Sequence, residues 1–344
     1  MRLESTRDRA IDSAKFFLVA LVVIGHVVEN TRGGNAIMNA LYRFIYVFHV
    51  PALAYISGVV STTDFGLRQG RRLLSGILLP YLVFQGLYLW QAAAMTGGAW
   101  SLYPTNPYWL LWYLPTLIAW RLSLPILMAA RWPIALAVVI ALGAGLSMGI
   151  NTAYSASRTL VFLPFFVAGH MFRMPRIRRV RGAIAGLVVL AAVAWVLREA
   201  NPYWLYGSSP YRDIKVDGLA PSDAQGIAFR AIALTAGALG TWSVIQLVSV
   251  QWAWSAWLGQ QSLGIYLLHG FLIRWAVAGG LASLFFRIPD GWRTLASAVA
   301  GLLLAAAVGA LSTYLKPALD YKWLWRQTTR AGSNCQQVPT APGG

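Results

Sequence analysis

Imidazole is the side chain suited to taking and returning a proton near neutral pH. This chain has four histidines, and three of them, His26, His49 and His269, sit well inside apolar runs. The first such run opens the chain. From Arg7 to Asn30 the sequence reads RDRAIDSAKFFLVALVVIGHVVEN, with charge crowded into its first nine residues and an apolar stretch after Phe16. As a helix, Lys15 and His26 are eleven residues or about three turns apart, so they point the same way. Asp12, Val19, Val22 and Glu29 share that stripe. A helix that is apolar elsewhere and ionisable along one seam does not turn that seam to lipid, and the seam marks a candidate functional site.

Two more stretches bring histidines to a similar level. The segment YRFIYVFHVPALAYISG carries His49 six residues from Arg43, about 9 Å along a helix, with Pro51 beside it to free backbone carbonyls. The segment WLGQQSLGIYLLHGFLIRW places Ser262, Tyr266 and His269 on one face at spacings of four and three. By helical rise His26 lies about 16 Å above Lys15 and His269 about 18 Å above Trp257. In a hydrocarbon core about 30 Å thick, all three imidazoles can share one depth in the outer half. His170 stands apart, near the inner end of its run and next to a basic cluster, where packing or snorkelling accounts for it. A different chemistry is suggested by LRQGRRLLSGILLPYLVF. Arg68 and Arg71 are three apart on one helix face with Arg72 adjacent, and paired guanidinium groups suit a phosphate-rich ligand. The same arginines also serve as a topology signal and a contact for lipid headgroups.

The elements that must carry these residues are membrane helices. Of 344 residues 58% are hydrophobic and 11% charged, with a mean hydropathy of +0.57. The expectation is an all-α, polytopic membrane helix bundle with about ten spans: 13–30, 43–61, 73–95, 108–128, 133–150, 158–174, 182–199, 226–249, 256–280 and 293–315. A net charge of +17 invites a nucleic-acid reading, but the basic residues are spread over loops between apolar runs, so no nucleic-acid partner is expected. With the N-terminus in the cytoplasm, Arg68, Arg71, Arg72, Arg121, Arg131 and the cluster from Arg173 to Arg181 fall inside, as the positive-inside rule requires, and both termini are cytoplasmic. Lys15 and Arg274 remain within spans. The first run holds Lys15 and His26 without a small-residue cleavage site, so it is not read as a removable signal. Trp100, Tyr103, Tyr108 and Trp109 read as an interfacial belt that can also stack on sugars. The 200–225 loop is the sizeable polar surface outside. Residues 1–315 form the membrane domain, and 316–344, with the single Cys335, a tail read as disordered. One cysteine permits no disulfide framework or cysteine metal site, and no metal is expected.

Together these residues resemble the membrane-bound acyltransferase family 3. Lys15-x10-His26 is similar to that family's Arg/Lys-x10-His. FHVPALAYISG at 48–58 is similar to its Phe-His-x-Pro element. Arg68-x-x-Arg71 followed by LLPYLVF is similar to the motif that opens its third span, and SLGIYLLHGFLI at 262–273 to the Tyr-x-x-His of a late span. LWYLPTL at 111–117 looks like the fucose 4-O-acetylase branch, which includes exopolysaccharide acetylases. Position 15 is Lys where Arg is common, and a point charge makes no bidentate clamp. The resemblance implies a multi-pass protein of the bacterial inner membrane. It further implies transfer of an acyl group, usually acetyl, from cytoplasmic acyl-CoA to a hydroxyl of a cell-surface or lipid-linked saccharide. In that reading His26 is the base and Glu29, one turn outward, orients its ring. Lys15 and His49 belong to the same catalytic set. Tyr266 or His269 donates to the developing oxyanion, and Arg68, Arg71 and Arg72 hold CoA phosphates. No Gly-x-Ser-x-Gly motif points to a serine acyl-enzyme. The rival classes are a transporter using His26, Lys15 and Glu29 as a proton relay, and a membrane scaffold. No second copy of the Lys-x10-His helix supports the first, and intramembrane histidines on three runs fit the second poorly.

Overall fold

The structure is a computed structural model. It describes residues 8–319 other than 65, 152, 176, 177, 209 and 217, with side chains to residue 314. The tail beyond, Cys335 included, and Arg2, Arg7 and Arg176 lie outside the described residues.

Every long apolar run forms helix, and the described residues contain no strand. The helices are α1 (Arg9–Thr31), α2 (Ala36–Val59), α3 (Leu67–Leu73), α4 (Leu79–Thr96), α5 (Tyr113–Ala129), α6 (Pro133–Gly143), α7 (Ala156–Val161), α8 (Leu163–Phe172), α9 (Val180–Val196), α10 (Asp223–Val248), α11 (Ala253–Gly259), α12 (Ser262–Ala278), α13 (Leu281–Phe286) and α14 (Asp290–Leu319). Local chemistry sets several starts. The Asp8 carboxylate accepts from the N–H groups of Ala10 and Ile11 at the head of α1, and Asn35 does the same for Ile37 and Met38 at α2. Ser222 and Gln225 form a reciprocal capping box at α10.

Six helical stretches are long and apolar enough to cross a membrane: Arg9–Thr31, Ala36–Val59, Leu67–Thr96, Trp109–Ala129, Asp223–Val248 and Asp290–Tyr314. Shorter apolar helices, Pro133–Leu146, Leu163–Phe172, Val180–Val196 and Ser262–Ala278, fill the places of the remaining expected spans. Two expected spans are broken. The sixth divides into α7 and α8 just before Pro164, whose ring removes a backbone donor. The ninth divides into α11 and α12 at Gln260 and Gln261. The third runs unbroken through a π-helical turn, Leu74–Leu78, that begins two residues after Arg72.

The first two helices form the centre. α1 packs against α14, α11, α12 and α2, and α2 against α8, α10 and α9. Between helices immersed in lipid there is little hydrophobic drive, so close backbone approach matters. At the α2–α8 crossing, a Cβ on Gly58 would collide with the Phe166 carbonyl, and one on Gly169 with the Tyr55 carbonyl. Glycine on both sides lets the two backbones touch.

The 200–225 loop, expected as a polar outer surface, divides into two parts. Arg212 and Asp223 form an exposed ion pair at 3.6 Å. The aromatic half turns inward: the Tyr211 ring is fully buried with its hydroxyl donating to the Leu142 carbonyl at 2.6 Å. The Tyr206 hydroxyl lies 2.5 Å from that of Tyr42 on α2. Burial pushes the Tyr206 phenol up, so the two hydroxyls share a proton-donor bond and carry no charge.

Candidate active site

The helical rise that puts Glu29 three residues after His26 brings the two side chains together. Glu29 Oε2 is 3.1 Å from His26 Nδ1 and 3.5 Å from the Tyr46 hydroxyl. A carboxylate accepts and cannot donate, so in neutral His26 it fixes the proton on Nδ1 and leaves Nε2 with a free lone pair. The Trp109 ring covers the imidazole with centroids 4.6 Å apart. His269 lies on another side, its ring nearly parallel at 5.5 Å. Trp109 opens the short 3-10 helix Trp109–Trp112 with a φ of 43°, a left-handed conformation rare for a bulky residue. Such strain is concentrated at functional sites.

The other two histidines reach the same place from α2 and α12. His49 Nδ1 donates to the Ile45 carbonyl at 2.9 Å, and His269 Nδ1 to the Ile265 carbonyl at 2.8 Å. Both bonds commit Nδ1–H to backbone, and the neutral rings then expose only an acceptor at Nε2. That of His269 is buried without a partner. The Tyr266 hydroxyl donates to the Leu110 carbonyl. As neutral groups in this arrangement, neither His269 nor Tyr266 holds a free proton aimed at a reacting oxygen.

These elements enclose a cavity of about 260 Å³. His26, Glu29 and His49 line it together with Trp109, Trp112, Tyr113 and Tyr266. Tyr42, Tyr46, Tyr203 and Tyr206 close its loop side, and Arg158 of α7 enters from the flank. Glu29 and Trp109 also border a second space of about 460 Å³, lined by Asn30, Met95, Ile273 and Arg274 among others. The guanidinium of Arg274 rests over the Tyr108 ring at 5.1 Å.

The basic residues of the sequence pattern lie elsewhere. Lys15 pairs with Asp12 at 3.3 Å, at the opposite end of α1, and does not line the cavity. Arg68, Arg71 and Arg72 are exposed on α3. Of the three, Arg72 alone borders a cleft of about 280 Å³, where it faces Arg121 of α5 with Ser61, Asp64 and Gln69. Arg121 Nε is buried without a hydrogen-bond partner. His170 Nδ1 donates to the Ser61 carbonyl, 3.1 Å away, beside that same cleft and away from His26. Among the described residues, no group of three or more His, Cys, Asp or Glu is placed to hold a metal ion.

An acyltransferase domain model, Acyl_transf_3, matches residues 8–325. The chain belongs to acyltransferase family 3. As a member, it is a membrane acyltransferase, and all the residues gathered around His26 fall within the matched region. It is 25% identical to nodulation protein NolL of Sinorhizobium fredii (strain NBRC 101917 / NGR234) over 304 residues, which cover 78% of this chain and 79% of that protein. It is 24% identical to nodulation protein NolL of Mesorhizobium japonicum over 300 residues, covering 78% of each. No solved structure matches it.

The structure adds site residues to those read from the sequence. Tyr42 and Tyr46 join His49, already read as catalytic, on one face of α2 at spacings of four and three, a stripe visible beforehand. Trp109 reads in sequence as an interface aromatic; its contact with His26 arises from a backbone turn that hydropathy does not encode. Arg121 reads in sequence as one of the inner basic residues and Arg158 as the first residue of the 158–174 span; only tertiary packing sets one on the cleft and the other on the cavity.

Proposed function

We propose that this acyltransferase transfers an acetyl group from cytoplasmic acyl-CoA to a hydroxyl of a cell-surface or lipid-linked saccharide, as an O-acetyltransferase of the bacterial inner membrane. The observation that carries the reading is the His26–Glu29 pair, 3.1 Å apart on the wall of an aromatic-lined cavity. A sugar hydroxyl is a poor nucleophile until a base takes its proton, and a positioned histidine supplies about 10²- to 10⁴-fold. The acceptor O–H gives its proton to His26 Nε2 as its oxygen bonds to the thioester carbonyl carbon. The C=O electrons move onto oxygen. When the carbonyl reforms, the C–S bond breaks and the leaving sulfur takes the proton from His26. Glu29 holds the ring in the required tautomer and balances the imidazolium formed midway.

The donor reading is supported by Arg72 and Arg121 facing one cleft at the basic end of the bundle, with Arg68 and Arg71 exposed nearby. Arg121 stands eight residues from Tyr113 of the cavity wall, about 12 Å along α5. A donor held by its phosphates at the cleft therefore needs an extended arm to present its thioester, and CoA has one. The acceptor reading is supported by the ring faces of Trp109, Trp112, Tyr203 and Tyr206, apolar surfaces with polar edges that suit a saccharide. The LWYLPTL segment favours the fucose 4-O-acetylase and exopolysaccharide branch.

The test is mass spectrometry of surface glycans from wild-type cells, a deletion strain, and the deletion complemented with His26→Gln. The deletion removes an acetyl increment that wild-type protein restores and His26→Gln, at normal abundance, does not. Restoration by His26→Gln would overturn the base assignment; no change in any glycan on deletion would overturn the acceptor class.

A further inference from the structure

Attack on a thioester places negative charge on the carbonyl oxygen, and a preset donor aimed at that oxygen answers the charge without reorganisation. The two residues expected to do so are committed. The Tyr266 hydroxyl donates to the Leu110 carbonyl, and His269 has spent its Nδ1–H on Ile265.

Arg158 has what they lack. It is the one arginine bordering the cavity that holds His26, and no lysine joins it there. It forms no ion pair among the described residues. Its guanidinium lies over the Trp112 ring at 4.8 Å, and its Nε donates to the Tyr206 carbonyl at 3.2 Å. Those two contacts fix the plane of the group at one end, and the terminal nitrogens supply further donors in a fixed fork. A cation held in place on the wall of the cavity that holds the base, with no carboxylate paired to it, costs no reorganisation when an oxyanion appears. Nor is it needed as a latch for the loop. Ser157 donates to the Gly207 carbonyl at 2.5 Å, and Tyr42 meets Tyr206 at 2.5 Å.

We infer that Arg158 is the oxyanion donor of the transfer reaction, a catalytic residue whose terminal guanidinium nitrogens bind the thioester carbonyl oxygen as its charge develops. The inference rests on the acyl-transfer reading above. In the step, the acceptor oxygen bonds to the carbonyl carbon and its proton passes to His26. The carbonyl oxygen takes the electron pair against Arg158 and returns it as the C–S bond breaks.

The experiment uses the full chain in lipid vesicles, with acetyl-CoA as donor and envelope glycan from the deletion strain as acceptor. It measures thiol release, KM for the glycan and Kd for CoA. Arg158→Gln keeps a donor for the Tyr206 carbonyl and removes the charge. It should lower kcat by about 10²- to 10³-fold, as losing an oxyanion donor does, with KM and Kd unchanged. A normal kcat, a change confined to KM, or a weakened Kd for CoA would each overturn the assignment. Where the Gln protein fails to insert, Arg158→Lys decides. Its ammonium keeps the charge but lacks the planar fork that reaches Tyr206 and the oxyanion from separate nitrogens, so kcat falls at constant KM, and an unchanged kcat overturns the assignment. His26→Gln in the same assay separates the two readings. If it is inactive while Arg158→Gln is not, the oxyanion assignment alone falls; if it turns over normally, the base assignment falls.

Discussion

Replacing Glu29 by Gln changes one atom of the His26 pair and nothing of its size. In the structure Glu29 Oε2 meets His26 Nδ1 at 3.1 Å and the Tyr46 hydroxyl at 3.5 Å. A glutamine can satisfy both partners by accepting from Tyr46 through its carbonyl and donating its amide to Nδ1. That bond stabilises the tautomer with the proton on Nε2, the nitrogen that must be bare. In serine hydrolase triads the equivalent loss costs about 10⁴-fold. Here the Glu29 side chain keeps 34% exposure against 12% for His26, so water shares in holding the ring and a smaller loss is expected, about 10²- to 10³-fold in kcat. Glu29→Asp, with a shorter reach, should fall between Gln and wild type. The assay is thiol release from acetyl-CoA by protein in vesicles, normalised to folded protein. CoA affinity should be unchanged, because Glu29 lies in the aromatic cavity and the arginine cleft is separate. A Glu29→Gln protein retaining more than half of wild-type kcat would refute the orienting role and with it the hydrolase-like reading of the pair.

Arg121→Ala should weaken CoA binding by about ten- to a hundredfold, the scale of a charged hydrogen bond, and Arg68→Ala less, since Arg68 does not border the cleft; isothermal titration with CoA distinguishes them, and equal affinities would remove the cleft as donor site. Gly58→Leu should abolish stable insertion by forcing α2 off the Phe166 carbonyl, whereas His170→Ala should keep most activity; protein yield and thiol release check the two. Orientation is tested with Lys215→Cys in a Cys335→Ser background, where an impermeant thiol reagent should label intact spheroplasts. Protection until lysis would invert the bundle.

Much of this site could be read from the chain because helices repeat. Glu29 follows His26 by three residues, and Tyr42, Tyr46 and His49 follow one another by four and three. In each case one helix supplies both members of a contact, so spacing alone brings them together. Depth matching placed His269 near His26 for the same reason: rise per residue is constant, whichever helix carries the side chain. What spacing could not convey depends on turns and crossings. The Trp109 ring reaches His26 through a left-handed backbone residue, and Tyr206 arrives from a loop by closing on Tyr42. Lys15 shows how a shared stripe can be divided. It shares a stripe with His26, but Asp12 lies nearer on that stripe and takes the ammonium. Likewise three neighbouring arginines looked equivalent at 68, 71 and 72. On a helix Arg68 and Arg71 share a face while Arg72 is turned about 100° from Arg71, and of the three Arg72 alone borders the cleft with Arg121.

The two spaces that share Glu29 and Trp109 as walls are unequal, about 460 Å³ and about 260 Å³. An acceptor longer than the His26 cavity can leave its remainder in the larger space while its reacting end lies against His26. Such an enzyme inspects the tip of its acceptor and is indifferent to what trails behind. The acceptor's length and whatever it carries at the far end would then pass unread, and selectivity would reside in the shape of the group held against His26.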